Sequence, residues 1–324
     1  MEHLISLKEQ SKEDLINILE LAKKIKTERK RGRLTDYLSN KTLIMLFQKT
    51  STRTRLSFEA AMTELGGHAI FLDARASQFS LTDFGDEIRA VMRYGDILMF
   101  RALKAVDVQK AASYNQIPVI DACSEKYHPC QALGDILTMI EYSGGLNKIG
   151  KIAWLGIQNN VSNTLKLACA KLGIRMTIIS PEQDSSSIDS QLDKQAEQTG
   201  NVKKTTNLKV GLDGVSYIHT DTWMNMEFFS AQGGPASGKE SKVKPEFKKE
   251  YERRVKVFTP YQLSAKIVDK FSPKAKIMHC MPCHPGFEIS RDAIDHPNSI
   301  IFNQAENRLH IQKAMIMWLS EKKI

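Results

Sequence analysis

Several short polar clusters in this chain combine residue types that do chemistry when a fold holds them together. Ser51-Thr52-Arg53-Thr54-Arg55 stands where a polar loop runs into a helical pattern. Unpaired N–H groups at a helix N-terminus, hydroxyls and an arginine fork make a cradle for a phosphate-like anion, although an ordinary Ser/Thr cap has the same look. The G-x-x-x-x-G-K spacing of a nucleotide P-loop is absent. Arg101 follows the apolar run Ile97–Phe100 and brings a second cation to a strand end. His128-Pro129-Cys130-Gln131 sets an imidazole and an amide at another helix start. An N–H donor there can polarise a carbonyl, and the glutamine can hold an adjacent amide.

Further along, Trp154 to Asn160 reads as a strand-to-helix turn carrying amides. It lacks G-x-G-x-x-G, which speaks against a dinucleotide. Asp221-Thr222-Trp223, His279-Cys280-Met281-Pro282 and Glu306-Asn307-Arg308 stand at later element ends. An aspartate can pair with a substrate ammonium, a partly exposed thiol can touch a reacting amine, and Arg308 supplies a third cation. Cys280, Cys283 and His284 spell C-x-x-C-H, the form of a haem attachment site or half a zinc site. No second ligand pair stands at finger-like spacing and the N-terminus carries no export signal, so neither metal nor cofactor is expected.

Such clusters need a scaffold, and the apolar rhythm supplies one. Ser11 and Asp14 cap an amphipathic helix running through Leu15, Ile18, Leu19, Ala22 and Ile25. Short apolar runs then alternate with helical spacing. Strands are expected at Thr42–Phe47, His68–Leu72, Ile97–Arg101 and Ile117–Asp121, and after the glycines at 144, 145 and 150 at Lys151–Leu155, Arg175–Ile179, Val215–His219, Lys276–His279 and Ile300–Phe302. Helices are expected from Pro129, near Asn163–Leu172 and near Gln262–Lys270. Strands alternating with helices mean parallel sheets with right-handed crossovers. The expectation is an α/β protein of two doubly wound domains, 1–147 and 148–304, with a C-terminal helix, 305–324, returning to the first. Chemistry in open sheets of this kind collects beyond the carboxyl ends of the strands, where the polar clusters stand.

Composition agrees. The chain has 324 residues, enough for two cores, and its 42% apolar content excludes whole-chain disorder. Its apolar runs fall far short of the ~20 residues of a spanning helix, so no membrane partner is expected. The net charge of +9 raises the question of nucleic acid, but the excess sits in two stretches, Lys23 to Arg33 and Lys239 to Lys256. The first is the tail of the opening helix, which Gly32 can stop, and no aromatics interleave with it. No nucleic-acid partner is expected. Five cysteines, an odd set with no secretory signal, imply reduced thiols and a cytoplasmic location.

Taken together, in order and from about residue 5 to 320, these motifs resemble the aspartate/ornithine carbamoyltransferases, and within them the ornithine branch. Ala305-Glu306-Asn307-Arg308-Leu309 completes the set. The resemblance implies transfer of a carbamoyl group from carbamoyl phosphate to an amine, without metal or cofactor, in a homotrimer. It implies that Ser51, Thr52, Arg53, Thr54 and Arg101 hold the phosphate, and that His128, Gln131 and Arg308 contact the carbamoyl part. It carries Asn160, Asp221, Asn225, Met226, Cys280 and Met281 over to the amino-acid substrate, gives Met281-Pro282 a cis peptide, and sends Gln78 into a neighbouring subunit's site.

The sequence departs from the ornithine pattern after Asp-x-Trp, where x-Ser-Met-Gly is replaced by Met224-Asn225-Met226-Glu227 and the segment Phe228–Tyr251, with its low-complexity stretch Ser230–Lys242, is long. This mobile-lid candidate keeps putrescine or a modified ornithine open as alternative acceptors. A catalytically inactive regulatory homologue is the alternative of a different class. Asn160 and Asp221 favour a free amino acid, since a diamine has no α-groups for them to bind.

Overall fold

The computed structural model describes residues 1–33, 36–224, 228–229 and 243–321, the last of these without its side chain. The expected substrate contacts Asn225 and Met226, and the lid stretch Ser230–Lys242, lie outside the described residues.

Helix α1 (Lys12–Lys30) opens with the expected capping box, in which the Ser11 hydroxyl accepts from the Asp14 N–H and the Asp14 carboxylate accepts from the Ser11 N–H. The chain then builds β1 (Thr42–Phe47), α2 (Thr52–Glu64), β2 (His68–Asp73), α3 (Phe84–Val91), β3 (Ile97–Arg101), α4 (Ala105–Ser113), β4 (Val119–Asp121) and α5 (Pro129–Ser143). The four strands form one parallel sheet in the order β2-β1-β3-β4. Helices cover both faces, which is why β1 is buried without alternation from Leu43 to Phe47.

A second block adds β5 (Lys151–Leu155), α6 (Asn160–Leu172), β6 (Met176–Ile179), α7 (Ser190–Glu197), β7 (Val202–Thr205), α8 (Leu208–Leu212), β8 (Val215–Thr220), α9 (Lys248–Phe258), α10 (Ala265–Phe271), β9 (Lys276–His279) and α11 (Arg291–Ile294). Its parallel sheet runs β7-β6-β5-β8-β9. The last helix, α12 (Ile301–Glu321), packs on α5, α1 and α2, and so returns to the first block as expected.

Helix α5 joins the blocks. It touches α12 on one side and α6 on the other, and is buried from Pro129 to Ile140. Pro129 fits its first turn and Gly144, at φ +75°, ends it. Fully buried Leu133, Ile136 and Leu137 contribute about 1.5–3 kcal/mol each relative to exposure. Strand order reverses between β1 and β3 in the first sheet and between β5 and β8 in the second. Those switch points are where open α/β sheets bind ligands, and Ser51, Arg101, Asn160 and Asp221 stand at or just beyond the carboxyl ends of these four strands.

Two expectations are corrected. Ile300–Phe302 is no strand: Ser299 makes a single parallel bridge to Ile277, Ile300 donates to the Ile277 carbonyl, and the chain turns at once into α12. Three apolar residues fit the first turn of a helix as well as a strand, and α12 therefore opens at Ile301 rather than at residue 305. The edge strand β7 was not expected from the sequence, because Lys203 and Lys204 in its middle are exposed. The basic tail of α1 is a helix end: Gly32 takes φ +72°, Arg31 and Arg33 pair with Glu28, and Arg29 pairs with Glu64.

Candidate active site

The parallel register places Phe47 beside Arg101, so the loop after β1 and the guanidinium ending β3 leave the first sheet side by side. Ser51 is the N-cap of α2; its hydroxyl accepts from the Thr54 N–H at 3.4 Å and donates to Thr54 Oγ1 at 2.9 Å. Thr52 is exposed in the first turn, Arg53 is half-buried and Thr54 is buried. Arg308, in the middle of α12, donates from Nη2 to Thr54 Oγ1 at 3.1 Å. The expected phosphate cradle and the arginine 254 positions away therefore share one hydroxyl.

His128 and Gln131 join the same edge from the start of α5, both buried, the His128 N–H donating to Thr164 Oγ1 of α6 at 2.9 Å. Burial, and then the charges of Arg308, Arg101, Lys49 and Arg53, hold the His128 imidazole well below its usual pKa. The ring is therefore neutral at physiological pH. Burial also lowers Arg308, and Arg101 and Arg53 lower it further by repulsion. Cations crowded this closely call for an anion between them.

The polar atoms left over define what that anion would meet. Among the described residues, Nε of Arg53, Arg101 and Arg308, Nδ1 of His128 and Oε1 of Gln131 are buried without a hydrogen-bond partner. An unsatisfied buried polar group costs about 1–3 kcal/mol, and native proteins keep few of them, so five at one sheet edge mark a place prepared for a polar ligand.

Facing this edge is the carboxyl end of the second sheet. Asp221, just past β8, accepts from Cys280 Sγ at 2.8 Å and the Thr222 N–H at 2.7 Å on Oδ1, and from Asn159 Nδ2 at 2.6 Å on Oδ2. Asn160 turns its amide to the first block, donating to the Ser124 carbonyl at 2.7 Å. Burial, and then Asp221, push the Cys280 thiol well above its usual pKa, so it is a donor and not a thiolate. Burial lowers the Arg53 pKa and the Asp221 carboxylate opposes that shift, so the two edges lie within electrostatic reach of each other. The Met281-Pro282 peptide is cis as expected, and Met281 itself, at φ +59°, donates its N–H to His279 Nδ1 at 2.8 Å. His279 Nε2 consequently carries the hydrogen and meets Glu288 Oε1 at 3.0 Å. A nitrogen of His279, the Cys280 sulfur and an Asp221 oxygen lie within 4.8 Å of one another, the one such cluster of potential metal ligands among the described residues. Each of the three side chains is already engaged in the hydrogen bonds just described.

Gln78 stands apart, exposed on the short turn Gln78–Ser80. Lys49, which acts on both His128 and the fully buried Asp121, was not anticipated, although it lies two residues before the capping serine. Asp135, His219 and Gln304 were missed too; they form a buried polar cluster behind Gln131. Single polar residues inside apolar segments give no local signal.

Two family models cover nearly all of the chain: the carbamoyl-P binding domain of aspartate/ornithine carbamoyltransferase matches residues 2–141, and the Asp/Orn binding domain matches 149–319. The chain belongs to the aspartate/ornithine carbamoyltransferase family. Among relatives, an ornithine carbamoyltransferase of Archaeoglobus fulgidus is 38% identical, covering 99% of this chain and 98% of its own. One from Methanosarcina acetivorans is 37% identical with 98% of each chain covered. Among solved structures, ornithine carbamoyltransferase from Pyrococcus furiosus superposes with a TM-score of 0.85 at 36% identity, over 97% of this chain and 96% of that one. The anabolic enzyme from Campylobacter jejuni gives 0.85 at 31%, over 99% and 100%. Family membership agrees with the site as built above, an anion cradle facing a carboxylate-and-thiol edge.

Proposed function

We propose that this carbamoyltransferase moves the carbamoyl group of carbamoyl phosphate to the side-chain amine of ornithine, giving citrulline and phosphate. The observation that carries the reading is the set of buried, unpartnered atoms on Arg53, Arg101, Arg308, His128 and Gln131. They are complementary to one small molecule with a phosphate at one end and a planar amide at the other. Arg53, Arg101 and the start of α2, with Ser51, Thr52 and Thr54, hold the phosphate. His128 and Arg308 donate to the carbonyl oxygen, and Gln131 Oε1 accepts from the carbamoyl NH2.

The deprotonated amine attacks the carbonyl carbon. Negative charge collects on the carbonyl oxygen, where Arg308 and neutral His128 stabilise it, and donors already in place need no reorganisation. The carbon–oxygen bond to phosphate then breaks, the arginines take up the charge of the leaving phosphate, and the amine nitrogen gives its second proton to that phosphate. On the acceptor side Asp221 pairs with the α-ammonium, while Cys280, the Met281 carbonyl and Asn160 orient the chain, with Asn225 and Met226 assigned by resemblance.

The domain reading follows the same chemistry, with 1–147 plus the returning helix 305–324 binding carbamoyl phosphate and 148–304 binding the amino acid. No described helix is long and apolar enough to cross a membrane. The assembly is read as a cytoplasmic homotrimer in which Gln78 reaches a neighbouring subunit's site.

The test is direct. Purified protein supplied with carbamoyl phosphate should convert ornithine to citrulline with stoichiometric phosphate release, and with a higher kcat/KM than for putrescine, lysine or acetylornithine. Failure with all four amines removes the enzyme reading, and a preference for putrescine or acetylornithine removes the ornithine assignment.

A further inference from the structure

Asp135 lies one helical turn after Gln131 on α5 and is fully buried. Gln131 Nε2 and Gln304 Nε2 each donate to its Oδ1 at 2.7 Å, and His219 Nε2 meets its Oδ2 at 3.0 Å. The His219 ring is stacked on Trp154 at 4.9 Å between centroids, its Nδ1 lies 3.1 Å from the Thr220 carbonyl, and its Nε2 is also 3.0 Å from Gln304 Nε2. These residues come from α5, β8 and α12, so the cluster sits where the two blocks meet.

The two ends of a glutamine amide have the same shape, and only their partners decide which way it faces. Here the decision is forced from one end. The His279 backbone N–H can only donate, and at 2.9 Å it must find Gln304 Oε1. Gln304 then has its NH2 left for Asp135. The carboxylate is an acceptor, so Gln131 must also turn its NH2 toward it. The Gln131 oxygen is thereby directed away, and it is one of the buried atoms without a partner among the described residues. The facing of Gln131 thus follows from the acceptor oxygen it shares with Gln304, Asp135 Oδ1.

We propose that Asp135, pinned by Gln304 and His219, is a positioning residue that holds the Gln131 oxygen out as a dedicated acceptor, so that the site selects an acyl phosphate bearing an N–H donor over one of equal shape without it. The proposal rests on the carbamoyl phosphate reading above. Carbamoyl phosphate satisfies the Gln131 oxygen. Acetyl phosphate, with a methyl where the NH2 stands, leaves that oxygen buried and unpaired. A site built to hydrogen-bond a ligand group rejects the analogue lacking it more strongly than a merely close-fitting site does.

Calorimetric titration of the full chain with carbamoyl phosphate and with acetyl phosphate tests this, with thermal melts in parallel. The parent protein should bind carbamoyl phosphate more tightly. In Asp135→Asn the side chain offers either a donor or an acceptor, so Gln131 is free to flip, and the affinity ratio should shrink about 5- to 10-fold through loss on the carbamoyl side alone. Gln304→Met should move the ratio the same way by less. In a Gln131→Ala background Asp135→Asn should have no further effect on the ratio. Equal weakening of both ligands, or an unchanged ratio in folded Asp135→Asn, overturns the proposal; if that variant does not fold, an unchanged ratio in Gln304→Met does so. Equal binding of both ligands by the parent also overturns it. Selective binding without citrulline formation would remove the proposed reaction and leave the positioning role in place.

Discussion

Arg308 and Thr54 share a hydrogen bond of 3.1 Å between residues 254 positions apart, both buried. The contact makes the returning helix α12 part of the anion cradle at the start of α2. Arg308→Ala removes a cation aimed at the carbonyl oxygen and should lower kcat/KM for carbamoyl phosphate about 10²- to 10³-fold, equivalent to about 3–4 kcal/mol of transition-state stabilisation. Arg308→Lys, which keeps the charge but not the fork, should recover little of it. Thr54→Val deletes only the hydroxyl and should cost about 1 kcal/mol. Steady-state kinetics decide the matter, and a near-normal rate in Arg308→Ala would remove this residue from the mechanism.

The neutral state of His128 makes a second prediction. Burial and four nearby cations, Arg308, Arg101, Lys49 and Arg53, all oppose its protonation. The ring should therefore show no titration between pH 5.5 and 8, and the rise of activity with pH should follow the acceptor amine, whose free pKa is about 10. The measurement is the pH dependence of ¹³C-labelled histidine resonances, with His128 assigned by its loss in His128→Gln. A titration step near pH 6.5 assigned to His128 would contradict the neutral donor.

Much of this architecture can be read from the sequence, for reasons that particular residues make plain. Strand β1 is a run of buried apolar residues because helices cover both its faces, and Ser11, Ser51 and Pro129 announce helix starts by their own chemistry. The phosphate-side residues were legible because each is a polar side chain at a strand or helix end. Asp135 and Gln304 were not, since nothing local separates a buried polar residue from a solvated one. Asp135 meets its partners 84 and 169 positions away. Strand β7 hid behind two exposed lysines, and Ile300–Phe302 was too short for its period to separate strand from helix.

Glu288 should govern part of the acid stability. It is fully buried, and although burial alone would raise it, hydrogen bonds from His279 and His284 outweigh that and bring it down to about 2. The folded carboxyl holds its proton less tightly than the unfolded one. Its contribution is thus fully present above the ordinary carboxylate range and is lost as the pH falls toward about 2. The upper bound is about 3 kcal/mol. Glu288→Gln keeps an acceptor for His279 but cannot titrate, so the variant should be less stable at pH 7 and its stability should fall less steeply between pH 5 and 3. Urea unfolding across that range measures it, and parallel curves for the two proteins would refute the assignment.

Cys280 and Asp221 carry the last prediction. The thiol donates to Asp221 Oδ1 at 2.8 Å, and its burial followed by the aspartate charge keep it protonated. Only the thiolate reacts readily with alkylating agents, so Cys280 should be labelled by iodoacetamide at pH 8 at least about tenfold more slowly than a free cysteine. Asp221→Asn removes one of the two causes and should speed labelling. Cys280→Ser keeps a donor for Asp221 and should retain more activity than Cys280→Ala, whose loss should fall on KM for the amine rather than for carbamoyl phosphate. Peptide mapping after timed labelling reads the first effect and two-substrate kinetics the second. Rapid labelling of Cys280 in the parent protein at pH 7 would show a thiolate at this position, and the role of hydrogen-bond donor to Asp221 would have to be given up.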